Sequence, residues 1–532
     1  MLAHMMAAGF TAAAQQEGFS GMDASRSTGL RAVALATVAG LALTGGALAQ
    51  SKPSPLGAPN RPALPTAKPP PLGAPAPMPV VPQQALPPRL APQPPAAQAP
   101  APVPPPSLAA PQVIPPNEPA AVTRLRGLLG PSVRLSYGSA QALDGTGEQV
   151  RLTAVVLERP GKRATIEDVQ LNGLREDGVA EAVLRGFETT EDNAQVRIGM
   201  LRIAGLTVPR NAGGPPQPDQ VRLEGLRLEG LRVSGAANVS VDLATVENWL
   251  PGQPGTVQVQ GVAVTGITEG FVDAVRLARV AFSGVDIGGT IAALMRMEGA
   301  PSLPGRASFE MDGLELSAGG SPVGRLQEMR IAADMTDNRG SGSGTLALRG
   351  IRVEPLPMIA PWLTRFGYQA IEGEITAATS HDATTGHVEV RDFTIAARDV
   401  GTLTFSLNLD GLTQERVQSL DYSQARLIGA ALGWADSSLY RRFIAMQAAQ
   451  ARVPEDQLRE QFAAMAQGAL SQPDATALVP IRDAVLRFIR GQATDVDIRV
   501  NPPKPIGAAE MQQVPQNPAE LQRILGITAT SR

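Results

Sequence analysis

Cysteine is absent from the 532-residue chain. This excludes disulfides, thiolate metal sites, a cysteine nucleophile and a lipid anchor on an N-terminal cysteine. Histidine is confined to His4, His381 and His387, and lysine to Lys52, Lys68, Lys162 and Lys504. Arginine therefore carries almost all the positive charge. The chain is also heavy in Ala, Gly and Pro, a bias that GC-rich codons produce, so no function rests on it. Aromatic residues make up 4%. The net charge is -3, without the basic excess of a nucleic-acid footprint. No Walker A sequence, dinucleotide fingerprint or H-E-x-x-H helix is present. Long apolar runs are missing after the first fifty residues, which argues against a helical integral membrane protein.

The N-terminus reads as an export signal over residues 1–49. Arg26 and Arg31 precede an apolar run from Ala32 to Leu43, and Ala47-Leu48-Ala49 supplies a small-x-small cleavage site. Residues 1–21 lie upstream of a complete signal, which points to Met22 as the true start. Ala32 to Ala49 is short and rich in Gly and Ala beside the roughly 20 apolar residues of a membrane span. The expectation is a periplasmic protein with no integral span after cleavage. The lesser alternative is an uncleaved inner-membrane anchor.

Residues 50–119 read as a disordered stalk, with 26 prolines between 51 and 119. Each proline removes a backbone donor and fixes φ, so neither helix nor sheet propagates. The segment is a spacer in the functional reading and a linker without a partner in the plainer one.

Residues 120–355 read as a repeat-like β region. Short apolar alternation broken by Gly argues for half-buried strands, as in Val133-Arg134-Leu135-Ser136-Tyr137 and Val150 to Val155. A loose motif recurs at Ile166 to Leu174, Ile198 to Leu206 and Leu223 to Leu231, and similar starts occur at Val272 and Leu326. Its irregular spacing suggests a repeated strand-turn-strand unit. Between Val221 and Val233 the apolar phase flips across Gly225 and again across Gly230. A flat strand cannot keep all six apolar residues on one face, so a bulge or bend is expected at each glycine. A small pentapeptide-type β-helix is the lesser alternative.

Residues 356–434 read as a β-meander, with strands at Tyr368 to Thr379, His387 to Ala397, Thr402 to Leu409 and Ala425 to Trp434. Asp382 to Gly386 and Arg398 to Gly401 form the turns of the first three strands. Leu403, Phe405, Leu407 and Leu409 share one face, opposite Thr402, Thr404, Ser406 and Asn408. A sheet with one apolar face must cover that face. The apolar quartet is the candidate ligand face.

Residues 435–500 read as helical with a closing strand at Val496 to Val500. Asp436 or Ser437 caps a helix carrying Leu439, Phe443 and Met446. Pro454 opens a second with Leu458, Phe462 and Met465. A third from Ala475 to Arg490 carries Ile481, Val485, Phe488 and Ile489. Residues 501–532 form a tail with a short helix from Pro518 to Leu525. The fold class expected is mainly β, a long curled antiparallel sheet packed by about three helices.

No catalytic, cofactor or metal site emerges. His381 and His387 flank the 382–386 turn, but nothing recruits a third ligand. Gly340-Ser341-Gly342-Ser343-Gly344 places its serines wrongly for a nucleophile elbow and reads as a flexible turn. Asp334 and Asp337 read as solvated turn residues, and Trp362 and Trp434 as core or sheet-edge residues.

The signal, the repeats ending at Leu174, Leu206 and Leu231, and the meander over 368–411 together resemble AsmA-like and YdgA-like periplasmic envelope proteins. The likeness covers about 120–412, and residues 413–532 resemble an uncharacterised group of alphaproteobacterial exported proteins. The resemblance implies a curled sheet with an apolar inner face, associated with lipid handling or envelope integrity. AsmA-type proteins keep an N-terminal anchor, whereas this signal reads as cleavable. The expectation is a non-enzymatic envelope protein that shelters lipid or another apolar ligand. The alternative is a scaffold that binds envelope proteins through sheet edges or the helical end.

Overall fold

A computed structural model describes residues 117–532, less 192–193, 210–216, 269, 297–300, 420, 472–475, 508–509 and 512–516. The expected signal and almost all of the stalk lie outside the described residues.

Among the described residues twenty strands form one sheet. The first ten are β1 (Arg134–Ser136), β2 (Ser139–Ala142), β3 (Gln149–Arg159), β4 (Lys162–Leu174), β5 (Gly178–Glu191), β6 (Ala194–Thr207), β7 (Leu223–Ser234), β8 (Asn238–Trp249), β9 (Gly255–Thr265) and β10 (Ala274–Val285). Then come β11 (Gly305–Ala318), β12 (Ser321–Met335), β13 (Gly342–Val353), β14 (Ile371–Asp382), β15 (His387–Ala397), β16 (Gly401–Asp410), β17 (Arg426–Asp436), β18 (Asp495–Val500), β19 (Ile506–Gly507) and β20 (Ile527–Ser531). β1 and β2 lie end to end against β3. From β3 to β18 each strand pairs antiparallel with the next. β19 adds to β17, and β20 to β18. Among the described residues nothing pairs β20 with β1 or β2, so the curled sheet stays open.

Eight α-helices accompany it among the described residues. α1 (Ala120–Leu129) packs on β3 and β4. α2 (Ile287–Met295), α3 (Ala360–Phe366) and α4 (Gln414–Ser419) interrupt the β10–β11, β13–β14 and β16–β17 connections. α5 (Leu439–Ala451), α6 (Glu455–Leu470) and α7 (Val479–Ile489) fill the β17–β18 connection, and α7 packs on β18 and β20. α8 (Pro518–Leu525) has the bounds its sequence predicts. Asn517 caps it on the Ala519 N–H at 2.9 Å, and Gly526 closes it at φ 59°.

The meander strands β14 to β17 form close to the expected bounds. Two finer expectations fail. The motif copies are not strand-turn-strand units: residues 166–174, 198–206 and 223–231 each lie within one strand. The stretch 221–233 is not a β-helix either, because β7 pairs with β6 and β8 along its length.

The glycines inside these strands bend the chain without ending the pairing. Left-handed residues occur on every second strand from β3 to β13: Ala154 (φ 48°), Gly186 (65°), Gly230 (64°), Gly261 (63°), Gly313 (66°) and Gly350 (62°). The flanking registers place them in a single row across the sheet. A second row takes the even strands at Gly173 (59°), Gly205 (63°), Asn248 (56°) and Gly284 (75°). The two rows lie about 20 Å apart along the strands at an extended rise per residue.

Each crease resets the side-chain phase, so inward residues step by three across it and by two elsewhere. On β6 the buried residues are Ile198, Leu201, Ile203 and Leu206. On β7 the left-handed residue is Gly230; the flip at Gly225 is carried by Gly205 and Asn248 on the neighbouring strands. Val221, Leu223 and Leu228 thus reach one core, with Leu226 and Leu231 packed against it.

The core is graded along the sheet. A large cluster joins α1 to β1 and β3–β7, with Val122, Val150 and Leu152 fully buried. A smaller one comprises Leu277, Val280, Phe309 and Ile331 on β10–β12. Two more hold the helical end: Leu478, Ile481, Ala484 and Ala529, and Ile444, Ala448 and Leu458. Met465 leaves the stripe expected of α6. It is 63% exposed, while Ala463 takes the buried position.

Candidate apolar groove

The predicted face stands together on β16. Leu403, Phe405, Leu407 and Leu409 are all half-buried, and each lies between two apolar partners. Leu403 sits between Ile395 and Trp434, and Phe405 between Phe393 and Leu432. Leu407 sits between Val390 and Ala430, and Leu409 between Val388 and Leu427. Phe393 meets Phe405 edge-on at 6.5 Å. Ile395 remains 36% exposed and Leu432 46%. The left-handed Asp392, at φ 53°, resets the phase of β15 so that Val390 and Phe393 both face the quartet.

Sequence reasoning missed the extent of this face. Register carries it without a break to β3: through Ile375 on β14, Leu348 on β13, Met329 on β12, Met311 on β11 and Val280 on β10. The result is an apolar trough running across the strands. It is filled at the β3–β7 end, beneath α1, and half-exposed on β13–β17. The signal is the quartet i, i+2, i+5, i+7, read in the sequence only at 221–233, with Leu226, Leu228, Leu231 and Val233, and missed on the other strands. A search for strict alternation discards it, because the creases break the period.

A buried acid cluster holds α1 over the filled end. The Glu118 side chain is only 2% exposed. It accepts from Arg126 Nη2 at 2.8 Å and from the Tyr137 hydroxyl at 2.7 Å. Burial opposes its charge, yet the hydrogen bonds from Arg126 and Tyr137 hold its carboxyl below the ordinary glutamate value.

The opposite face is a lattice of ion pairs. Asp168 bridges Arg151 at 2.5 Å and Arg185 at 3.1 Å. Arg279 reaches Glu310 at 2.9 Å, and Arg330 joins Glu310, Asp312 and Glu328. Exposed pairs each stabilise by no more than about 1 kcal/mol, but together they keep this face wet. A cleft of about 660 Å³ opens here between Arg325, Arg352, Glu372, Glu374 and Arg398. Arg352 holds one oxygen of Glu372 and Arg398 the other.

The remaining sequence candidates serve the scaffold. His381 places Nδ1 3.0 Å from the Gly340 carbonyl and Nε2 2.9 Å from that of Leu412, and His387 Nδ1 lies 2.7 Å from Asp410. Among the described residues no cluster of three His, Asp or Glu is arranged to hold a metal. Ser341 is buried, and its hydroxyl accepts from the Ala383 N–H at 3.0 Å, tying two turns together. Asp337 accepts from the Arg339 and Ser341 N–H groups within that turn, and Asp334 pairs with Arg306 at 3.2 Å. Trp434 lies on β17 as expected. Trp362 does not join a core: it is 61% exposed on α3, stacked on Phe366 at 6.1 Å.

A family model described as "Uncharacterized protein" matches residues 394–532, from β15 to the C-terminus. The expected likeness of the C-terminal part to an uncharacterised group thus has a counterpart that begins earlier than residue 413. No curated protein matches the chain. Among the described residues no helix is long and apolar enough to cross a membrane.

Proposed function

We propose that the trough shelters a lipid or another apolar molecule, and that the protein is an exported, non-enzymatic component of the cell envelope. The observation that supports this reading is the half-exposed floor at β13–β17. Leu403, Phe405, Leu407 and Leu409, with Ile395 and Leu432 beside them, form one continuous apolar surface. Contiguous exposed apolar surface of this kind marks an interaction site. The texture shared with AsmA-like envelope proteins agrees with it.

The test is direct. The full chain, exported to a bacterial periplasm and purified gently, is extracted with organic solvent and the extract analysed by mass spectrometry. Stoichiometric lipid is expected. Leu407→Glu, which puts a charge on the floor, is expected to remove most of it while circular dichroism stays unchanged. A lipid-free wild-type protein would overturn the reading and favour capture of envelope proteins by the sheet edges or the helical end.

A further inference from the structure

The segment joining β13 to β14 carries a second apolar surface, outside the trough. Met358 is 84% exposed and Trp362 61%, the former more than any other large apolar side chain among the described residues. Pro355, Pro357 and Pro361 surround them and are exposed as well. The segment is not a loose loop. Leu363 is buried, and Arg442 of α5 donates to the carbonyls of Phe366 and Gly367, each at 2.7 Å. Arg365 reaches back to Met446 Sδ at 2.9 Å. Met358 and Trp362 are thus presented to solvent on a fixed support.

The stretches that carry this segment and α5 hold charge of one sign. No Asp or Glu occurs from 355 to 371 or from 437 to 454, whereas these stretches hold Arg365, Arg441, Arg442 and Arg452. None of the four forms an ion pair among the described residues, in a protein whose sheet arginines are largely matched with carboxylates. Arg441 and Arg452 are exposed.

We infer that this patch seats the protein on an anionic lipid surface. Trp362 and Met358 enter the headgroup boundary while the exposed Arg441 and Arg452 meet lipid phosphate. A protein partner would also bury an aromatic anchor, but an arginine cluster without a matching carboxylate fits a surface of uniform negative charge better. The inference does not depend on what the trough holds.

The experiment uses the full chain and vesicles with brominated acyl chains, made of phosphatidylcholine alone or with phosphatidylglycerol. Bromine quenches only tryptophan that enters the bilayer. Quenching is expected on the phosphatidylglycerol vesicles and weakly or not at all on phosphatidylcholine. In a Trp434→Phe background, which removes the tryptophan beside Leu403 in the trough, Trp362→Phe is expected to abolish it, since Trp249 packs against the β3–β7 core. Arg441→Glu with Arg452→Glu is expected to reduce it several-fold; both positions are exposed, so folding is not at stake. Quenching that survives Trp362→Phe in that background, or that is equal on the two vesicles, overturns the inference. Its absence from both overturns it too and assigns the patch to a protein partner.

Discussion

Gly284 and Gly127 show how much one residue's position decides. Gly284 has φ 75°, and a Cβ there would lie 2.0 Å from the Arg306 carbonyl oxygen, which is backbone and cannot swing away. Gly127 lies inside α1, where a Cβ would meet nothing within 4 Å. Gly127→Ala should therefore stabilise by about 0.5–1 kcal/mol, because glycine costs a helix interior that much. Gly284→Ala should destabilise by more than about 1 kcal/mol, because the strained conformation and the clash both act against it. Urea midpoints of the two variants check the pair, and a harmless Gly284→Ala would remove the steric basis of the crease. Asn248 and Asp392 occupy left-handed positions without being glycine, as their short polar side chains allow. Because Ala154 stands in one row and Asn248 in the other, a search for Gly alone finds only part of each row.

At the scale of elements, α5, α6, α7 and α8 were legible from apolar spacing, Pro454 and Gly526. Capping was legible only in part: the N-cap is Ser438 and not Asp436 or Ser437, but the Asp436 carboxylate accepts from the Tyr440 N–H at 2.8 Å. The seven-residue α3 and six-residue α4 were not legible, since helices of that length form only when tertiary contacts hold them, and α2 was hidden by Gly288 and Gly289 in its first turn. α1 was missed because it follows directly on the proline-rich stretch, and what fixes it is Glu118. That carboxyl is held below its unfolded value, so its contribution to stability is complete above about pH 4.3 and is lost as pH falls through the lower folded value. Glu118→Gln should cost about 1–3 kcal/mol at neutral pH by weakening a charge-assisted cluster. Urea midpoints measured from pH 7 downward should fall more steeply for the wild type than for the variant. Parallel curves would rule out Glu118 as the acid-sensitive clamp.

For the molecule as a whole, a meander in which each strand meets only its neighbours makes stability local. The continuous cluster on β3–β7 should exchange amide hydrogens most slowly, and β13–β17, whose inner face is half-exposed, faster. Hydrogen exchange read by mass spectrometry would show this gradient, and uniform protection would mean that the trough is covered along its length. By itself the sequence determined the class of fold, the meander, the late helices and the apolar quartet of β16. Each of these depends on the periodicity of residues close together in the chain. Only the tertiary structure decided that the quartet belongs to a trough reaching β3, that left-handed residues align in two rows, and that Trp362 faces solvent. Those facts depend on register between strands and on which side of a helix docks. Residues far apart in sequence set both, and local pattern carries no record of them.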